Sequence, residues 1–170
     1  RPGPAPGSRE TELELARDVL REQASALSDM ADLLGEEFSR AVDTIVACAD
    51  AGGTVLVTGL GKSGLVGQKI SATLASLGIP SHAVHPSEAA HGDLGRFRPT
   101  DTVIAISASG ETDKVVALAG ILRQDGLPII SITSARPVAG QADSSLARLA
   151  TVSLRLGVVL AKPGVYTLNP

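Results

Sequence analysis

The fold is decided by residues 54–64, which read TVLVTGLGKSG. The first five residues are β-branched or apolar, a run that is typical of a buried strand. Glycines follow at once, and behind them apolar residues recur at helical spacing until Gly78, which ends the predicted helix ahead of Pro80. The stretch therefore predicts a strand, a tight glycine turn and a helix.

The same rhythm continues along the chain. Further strands are predicted at residues 81–85, 102–107, 127–133 and 149–156, and a second helix follows the serine- and glycine-rich turn after the third strand. Strands that alternate with helices form βαβ units around a mostly parallel sheet. The predicted fold class is therefore α/β, and its ligands are expected at the carboxyl ends of the strands.

The segments outside this core have their own signatures. Residues 1–9 hold three Pro and two Gly and predict a disordered leader. Residues 10–51 are helical in pattern, with a break at Gly35. Residues 10–170 are expected to form a single domain. The loop at 136–145 is longer than its connection needs, which indicates a mobile or functional segment.

Composition excludes several classes of function. Aromatic residues make up 2% of the chain, which predicts an aliphatic core and argues against base stacking on single-stranded nucleic acid. The net charge of −3 comes with no basic stripe for a DNA backbone. A single cysteine, Cys48, rules out an intrachain disulfide and a thiolate zinc cluster, fits a reducing cytoplasm, and is expected to be buried. No apolar run approaches the ~20 residues of a membrane span. We expect no metal, no cofactor, and no nucleic-acid or membrane partner.

Residues 59–64, called here the glycine turn, match the G-x-G-x-x-G pattern of dinucleotide-binding folds. That pattern calls for a carboxylate about 20 residues further on, and the region reads Ala83-Val84-His85 instead. A Walker loop is excluded because Leu56 stands where it needs a glycine. Lys62 and Ser63 suit a ligand phosphate or hydroxyl, whereas a tight turn with no ligand is the simpler alternative.

Residues 107–112, Ser-Ala-Ser-Gly-Glu-Thr, are called here the serine turn, and they again join a strand to a helix. Three hydroxyls and a glycine at a helix N-terminus form a good cradle for an oxyanion. Ordinary capping by Ser109 or Thr112 is the alternative, but capping needs only one such residue. The surplus of donors favours a bound phosphate.

Together with His85-Pro-Ser-Glu-Ala-Ala-His-Gly-Asp-Leu-Gly95, called here the middle segment, the two turns resemble the SIS (sugar isomerase) family. The middle segment resembles most the bacterial arabinose-5-phosphate isomerases, which interconvert ribulose 5-phosphate and arabinose 5-phosphate. The resemblance implies a three-layer α/β/α sandwich with a five-stranded, mostly parallel sheet in flavodoxin-like order. It also implies a homo-oligomer, a dimer or tetramer, whose sites draw on neighbouring subunits.

The resemblance also implies roles for individual residues. The sugar phosphate is expected on the serine turn, and the catalytic candidates are Lys62, His91 and Glu111. The substrate-binding candidates are Gly61, Ser63, Glu88, Ser107, Ser109, Gly110 and Thr112. Isomerisation through an enediol needs a base, a group that polarises the carbonyl, and an anchor for the phosphate. Lys62 could stabilise the enediolate oxygen and His91 could move protons near neutral pH. Each also has a plainer alternative as a solvated or backbone-bonded residue.

The chain departs from the isomerases at sites that matter for catalysis. Lys114 stands where their serine-turn motif continues to a catalytic glutamate, and residues 158–165 hold no acid where a second glutamate is expected. The family's last helices and a late catalytic histidine are expected to be missing. Three interpretations stay open: an active isomerase, a sugar-phosphate-binding domain that has lost catalysis and senses or regulates, and, more weakly, a dinucleotide-binding module.

Overall fold

The structure, a computed structural model, describes residues 6–90, 93–134 and 142–156. Within these ranges lie six α-helices, five strands and one short 3₁₀ turn. In chain order they are α1 (Pro6–Ala31), α2 (Glu36–Asp50), β1 (Val55–Gly59), α3 (Lys62–Ser76), β2 (Ser81–Val84), α4 (Pro86–Ala90), the 3₁₀ turn Asp93–Arg96, β3 (Thr102–Ile106), α5 (Asp113–Gln124), β4 (Ile129–Thr133), α6 (Ser145–Leu149) and β5 (Val152–Arg155).

The five strands form one sheet in the order β2-β1-β3-β4-β5. Every neighbouring pair is parallel. This is the predicted flavodoxin-like order, in which the chain reverses its direction of travel across the sheet between β1 and β3. The α/β fold class is therefore confirmed, and the switch point falls between the strands that carry the glycine and serine turns.

Apolar residues pack on both faces of the sheet, because side chains alternate along each strand. On one face Leu56, Val103 and Ile129 pack with apolar residues of α4, α5 and α6. On the other face Val55 and Ile104 pack with apolar residues of α2 and α3. The buried apolar side chains among the described residues are all aliphatic apart from Cys48, so the predicted core composition and the buried cysteine are confirmed.

The chain divides into two units, one of which contains the residues up to Leu34 and the other Gly35–Val158. The first holds α1, a helix of 26 residues that begins at Pro6. The prediction of a disordered leader is therefore wrong for residues 6–9, and a proline is well tolerated in the first turn of a helix because its missing N–H has no partner there. Residues 1–5 lie outside the described ranges. The predicted break at Gly35 is confirmed, because α2 begins directly after it.

Two strands begin later than the sequence predicts, by two residues or more, and each shift has a physical reason. The fourth strand begins at Ile129 rather than Leu127, because Pro128 has no N–H to give to a ladder. The fifth begins at Val152 rather than Leu149, because Ser144 caps a short helix that ends at Leu149. None of the described helices is both long and apolar enough to cross a membrane.

Candidate functional site

The glycine and serine turns lie side by side. β1 and β3 are parallel neighbours whose last residues, Gly59 and Ile106, are partners in the ladder. The middle segment starts at the same edge, because Thr58 of β1 pairs with Val84, the last residue of β2. Three consecutive strand ends therefore bring the three predicted motifs together along the carboxyl edge of the sheet.

The glycines of the glycine turn are explained by its backbone geometry. A Cβ on Gly59 would lie 2.9 Å from the carbonyl carbon of Ser63, and a Cβ on Gly64 would lie 2.8 Å from the carbonyl oxygen of Gly59. Gly61 has a φ of +58°, a conformation that other residues adopt at a cost. The tight turn alone accounts for the G-x-G-x-x-G pattern, so the pattern no longer argues for a dinucleotide.

Lys62 and Ser63 open helix α3 directly after this turn. Lys62 is exposed and Ser63 is partly buried. Among the residues that the structure describes, none hydrogen-bonds or pairs with the Lys62 ammonium. A cation at the carboxyl edge that pairs with none of these residues is available to a ligand, which fits the role predicted for Lys62.

The serine turn has an ordered network of hydroxyls. Ser107 is 1% exposed, and its Oγ lies 2.8 Å from the Oγ1 of Thr112 and accepts a hydrogen bond from the Gly110 N–H at 3.1 Å. Ser109 is exposed, and its Oγ accepts from the Glu111 N–H at 3.1 Å. Because an oxygen that accepts still has its own hydrogen to donate, Ser109 can offer an O–H to a phosphate.

Thr112 is the N-cap residue of α5, but its side chain makes no capping hydrogen bond. Its hydroxyl bonds with Ser107 instead. The alternative in which these hydroxyls are present only to cap the helix is therefore not supported at Thr112. The first N–H groups of α5 point toward the turn with the positive end of the helix dipole, which favours an anion there.

Glu111 and Gly110 connect the serine turn to α6. The Glu111 carboxylate accepts from the Ser145 N–H at 2.8 Å, and the Gly110 carbonyl accepts from the Leu146 N–H at 3.0 Å. The pKa of Glu111 is lowered, first by the Ser145 backbone hydrogen bond and then by the Ser145 hydroxyl; desolvation opposes this, and the charge of Arg148 lowers the pKa least. A lowered pKa makes Glu111 a weaker base than an ordinary glutamate.

Lys114 links the serine turn's helix to the middle segment. Its ammonium donates to the Ser87 Oγ of α4 at 2.9 Å. α4 begins directly after His85. The His85 Nδ1 accepts from the Ser87 N–H at 3.3 Å, and the His85 carbonyl accepts from the Glu88 N–H at 3.1 Å. The Glu88 side chain is exposed. His91, the second catalytic candidate, lies outside the described residues.

Sequence reasoning missed two threonines at this edge. The hydroxyls of Thr58 and Thr133 are buried and have no hydrogen-bond partner among the described residues, with exposures of 3% and 1%. By alternation from Leu56 and Ile129 they face the layer of α4, α5 and α6, on either side of β3. A buried hydroxyl without a partner is costly, so both are candidates to bind a ligand or a water. In the sequence they look like ordinary strand residues.

The matches to known proteins agree with this geometry. Residues 49–162 match the SIS domain family. The chain belongs to the SIS domain family. Among the described residues of this SIS domain, no three His, Cys, Asp or Glu side chains are grouped as a metal site would require.

Curated relatives of this SIS domain are named as arabinose 5-phosphate isomerases. A probable arabinose 5-phosphate isomerase of Haemophilus influenzae is 43% identical over 152 residues, which are 89% of this chain and 42% of that protein. The arabinose 5-phosphate isomerase KdsD of Shigella flexneri is 43% identical over 141 residues, which are 83% of this chain and 40% of that protein. The chain thus spans about two fifths of the length of these relatives.

A solved structure extends the likeness to the backbone. An Escherichia coli CFT073 protein in complex with A5P has a TM-score of 0.79 and 33% identity, and the match covers 94% of this chain and 78% of that one. This chain therefore shares its fold with a protein whose structure was solved in complex with A5P.

Proposed function

We propose that this SIS domain binds a pentose phosphate at its carboxyl edge and interconverts arabinose 5-phosphate and ribulose 5-phosphate. The observation that carries the proposal is the adjacency of the two turns. It sets the Lys62 ammonium, which has no partner among the described residues, beside a hydroxyl-rich anion cradle at the end of β3. The names of the curated relatives support the same substrate.

In this proposal the phosphate binds at the serine turn. Ser109 donates its free O–H, the hydroxyl pair of Ser107 and Thr112 supplies a further donor, and the N-terminus of α5 adds a favourable dipole. Anchoring the phosphate fixes C1 and C2 of the sugar relative to the groups that act on them. Such orientation lowers the entropic part of the barrier to proton transfer.

The reaction moves one proton between neighbouring carbons. A base removes the proton from C2 of the aldose and returns it to C1, while the hydrogen of the C2 hydroxyl ends on O1. Lys62 stabilises the negative oxygen of the enediolate by its charge. His91 exchanges the protons, a role that suits imidazole near neutral pH. Glu111, the third candidate, has a lowered pKa and suits the positioning of the serine turn better than proton abstraction.

A second function is favoured by Lys114. The isomerase-like motif has a glutamate at this position, and here an ammonium bonds to Ser87 instead. A domain that lacks this base and still binds a sugar phosphate would sense the ligand rather than convert it. The dinucleotide interpretation has less support, because the glycines serve the turn and β2 is followed by His85 rather than by a carboxylate.

The proposal includes the protein's environment. It has the domain act in the cytoplasm as a homo-oligomer, a dimer or tetramer, whose sites include residues of neighbouring subunits. A carboxylate from a neighbouring subunit would act as the base in place of the glutamate whose position Lys114 occupies.

An isomerisation assay on matched variants tests the proposal. Lys62→Met removes the ammonium, and Lys69→Met makes the same change at another exposed position of α3. We expect ketose formation from arabinose 5-phosphate to fall about 10²–10³-fold in kcat for Lys62→Met, as on loss of one group that stabilises an oxyanion, and to be unchanged for Lys69→Met. Binding of the sugar without turnover in the wild type would select the sensing function, and equal rates for both variants would remove Lys62 from the mechanism.

A further inference from the structure

A cavity of about 490 Å³ lies on the face of the sheet that packs with α4 and α5, beside the edge strand β2. Its lining includes Leu56 and Val84 on the floor and Thr54, His82, Arg98 and Asp101 as polar groups. The volume is within the range of pockets that hold small ligands, about 300–1,000 Å³. Among its described lining residues, Gly95 belongs to the middle segment, and none belongs to the glycine turn or the serine turn.

The end of the cavity that holds Arg98 is separated from those turns along the sheet. Thr54 directly precedes β1 and Asp101 directly precedes β3, so both lie at the amino edge. A strand rises about 3.3 Å per residue, which sets Thr54 roughly 16 Å from Gly59 along β1. Val84 and Gly95 extend the lining toward the carboxyl edge, but Arg98 is held beside Asp101 at the amino edge, so an anion bound by Arg98 is separate from one bound at the serine turn.

Asp101 is the one carboxylate among the described lining residues, and its hydrogen-bonding capacity is already used. Asp101 is 1% exposed, and its two oxygens accept from the Thr54 N–H and the Arg98 N–H, each at 2.8 Å. These bonds hold the backbone of Arg98 against the start of β3 and leave its side chain free. The acidic group thus supports the cavity wall and is not positioned to bind a cation.

The side chains left for a ligand are a guanidinium and an imidazole. The Arg98 guanidinium and the His82 imidazole are exposed, and neither side chain bonds to any residue in the described ranges. His82 pairs with Leu56 in the ladder, so it stands beside the apolar floor. A guanidinium has five N–H donors and no acceptor, in a fork that matches a carboxylate or a phosphate.

From this arrangement we propose that the cavity is a second ligand site, which binds a compact anion carrying a carboxylate or phosphate group on an apolar body. Arg98 binds the anionic group, His82 contributes a hydrogen bond, and Leu56 and Val84 contact the body of the ligand. Such a ligand connects β2 to the segment that follows the 3₁₀ turn, and so joins the edge strand to the chain leading into β3.

Calorimetric titration of the intact chain with citrate and, separately, with inorganic phosphate tests the site. The variant Arg98→Met keeps the stem and removes the fork, and Arg17→Met makes the same change at an exposed position of α1. We expect saturable binding of at least one probe, weakened about tenfold or more in Arg98→Met, as for a lost hydrogen bond to a charged group. His82→Gln should also weaken binding, whereas Arg17→Met should not.

Ser109→Ala separates this site from the serine turn. Binding of the probe that persists in Ser109→Ala and is lost in Arg98→Met supports the second site, and the opposite pattern places the anion at the serine turn and overturns the proposal. A response to citrate alone assigns the site to carboxylates, and a response to phosphate alone assigns it to phosphates. If the wild type and Arg98→Met have the same melting temperature and the wild type binds neither probe saturably, the site is refuted.

Discussion

Gly110 is the position where the serine turn leaves no space for a side chain. Its φ is +70°, and a Cβ built on it would lie 2.2 Å from the Oγ and 2.5 Å from the Cβ of Ser144, the N-cap residue of α6. Gly110→Ala therefore has two costs. The left-handed conformation costs about 1–2 kcal/mol, and overpacking costs about 1–3 kcal/mol. We expect a loss of about 2–5 kcal/mol in the free energy of unfolding.

Urea unfolding followed by circular dichroism measures this loss, with Gly126→Ala as the matched control. Gly126 has a φ of +84° and open space around its Cβ position, so its variant isolates the conformational cost, about 1–2 kcal/mol. Combining Gly110→Ala with Ser144→Gly removes both close atoms and should bring the added penalty of Gly110→Ala down toward that of the control. If Gly110→Ala costs no more than Gly126→Ala, the close packing of the serine turn on α6 is wrong.

Two further variants test hydrogen bonds from backbone N–H groups to carboxylates. In Glu111→Gln the bond to the Ser145 N–H loses its charge. Because the folded-state pKa of Glu111 is depressed below its unfolded value of 4.5, the difference in stability from the wild type should be full above that value and should close as the pH falls through the folded-state pKa. A difference in stability that does not change with pH would contradict this. Asp101→Asn turns one of the two acceptors for the Thr54 and Arg98 N–H groups into a donor. It should lower the free energy of unfolding in urea by about 1–3 kcal/mol. An unchanged midpoint would mean that these two bonds are not made.

The placement of the site was predictable because its signals are local. Each turn follows directly on a β-rich run, and parallel neighbouring strands end at one edge, so the order of β1 and β3 sufficed to bring Lys62 and Ser109 to the same edge of the sheet. The glycine pattern was ambiguous, since the same three glycines suit a dinucleotide or a tight turn. The backbone distances around Gly59 and Gly64 decide in favour of the turn.

Contacts between distant segments left no signal in the sequence. Glu111 bonds to Ser145, 34 residues away, and Lys114 bonds to Ser87, 27 residues away. α6 was missed because its five residues are too short for a helical period to be recognised, and its N-cap serine looks like part of a loop. Thr133 has the sequence character of any strand threonine, and only its burial without a partner sets it apart.

The most direct test of a sugar-phosphate site at the two turns is calorimetric titration with arabinose 5-phosphate. The proteins compared are the wild type, Ser109→Ala, and Ser76→Ala as a control at an exposed serine in the last turn of α3. We expect saturable binding to the wild type, an affinity about tenfold lower for Ser109→Ala because a hydrogen bond to a charged oxygen is lost, and no change for Ser76→Ala. Wild-type affinity in Ser109→Ala, or binding of NAD in place of the sugar phosphate, would contradict a phosphate site at the serine turn.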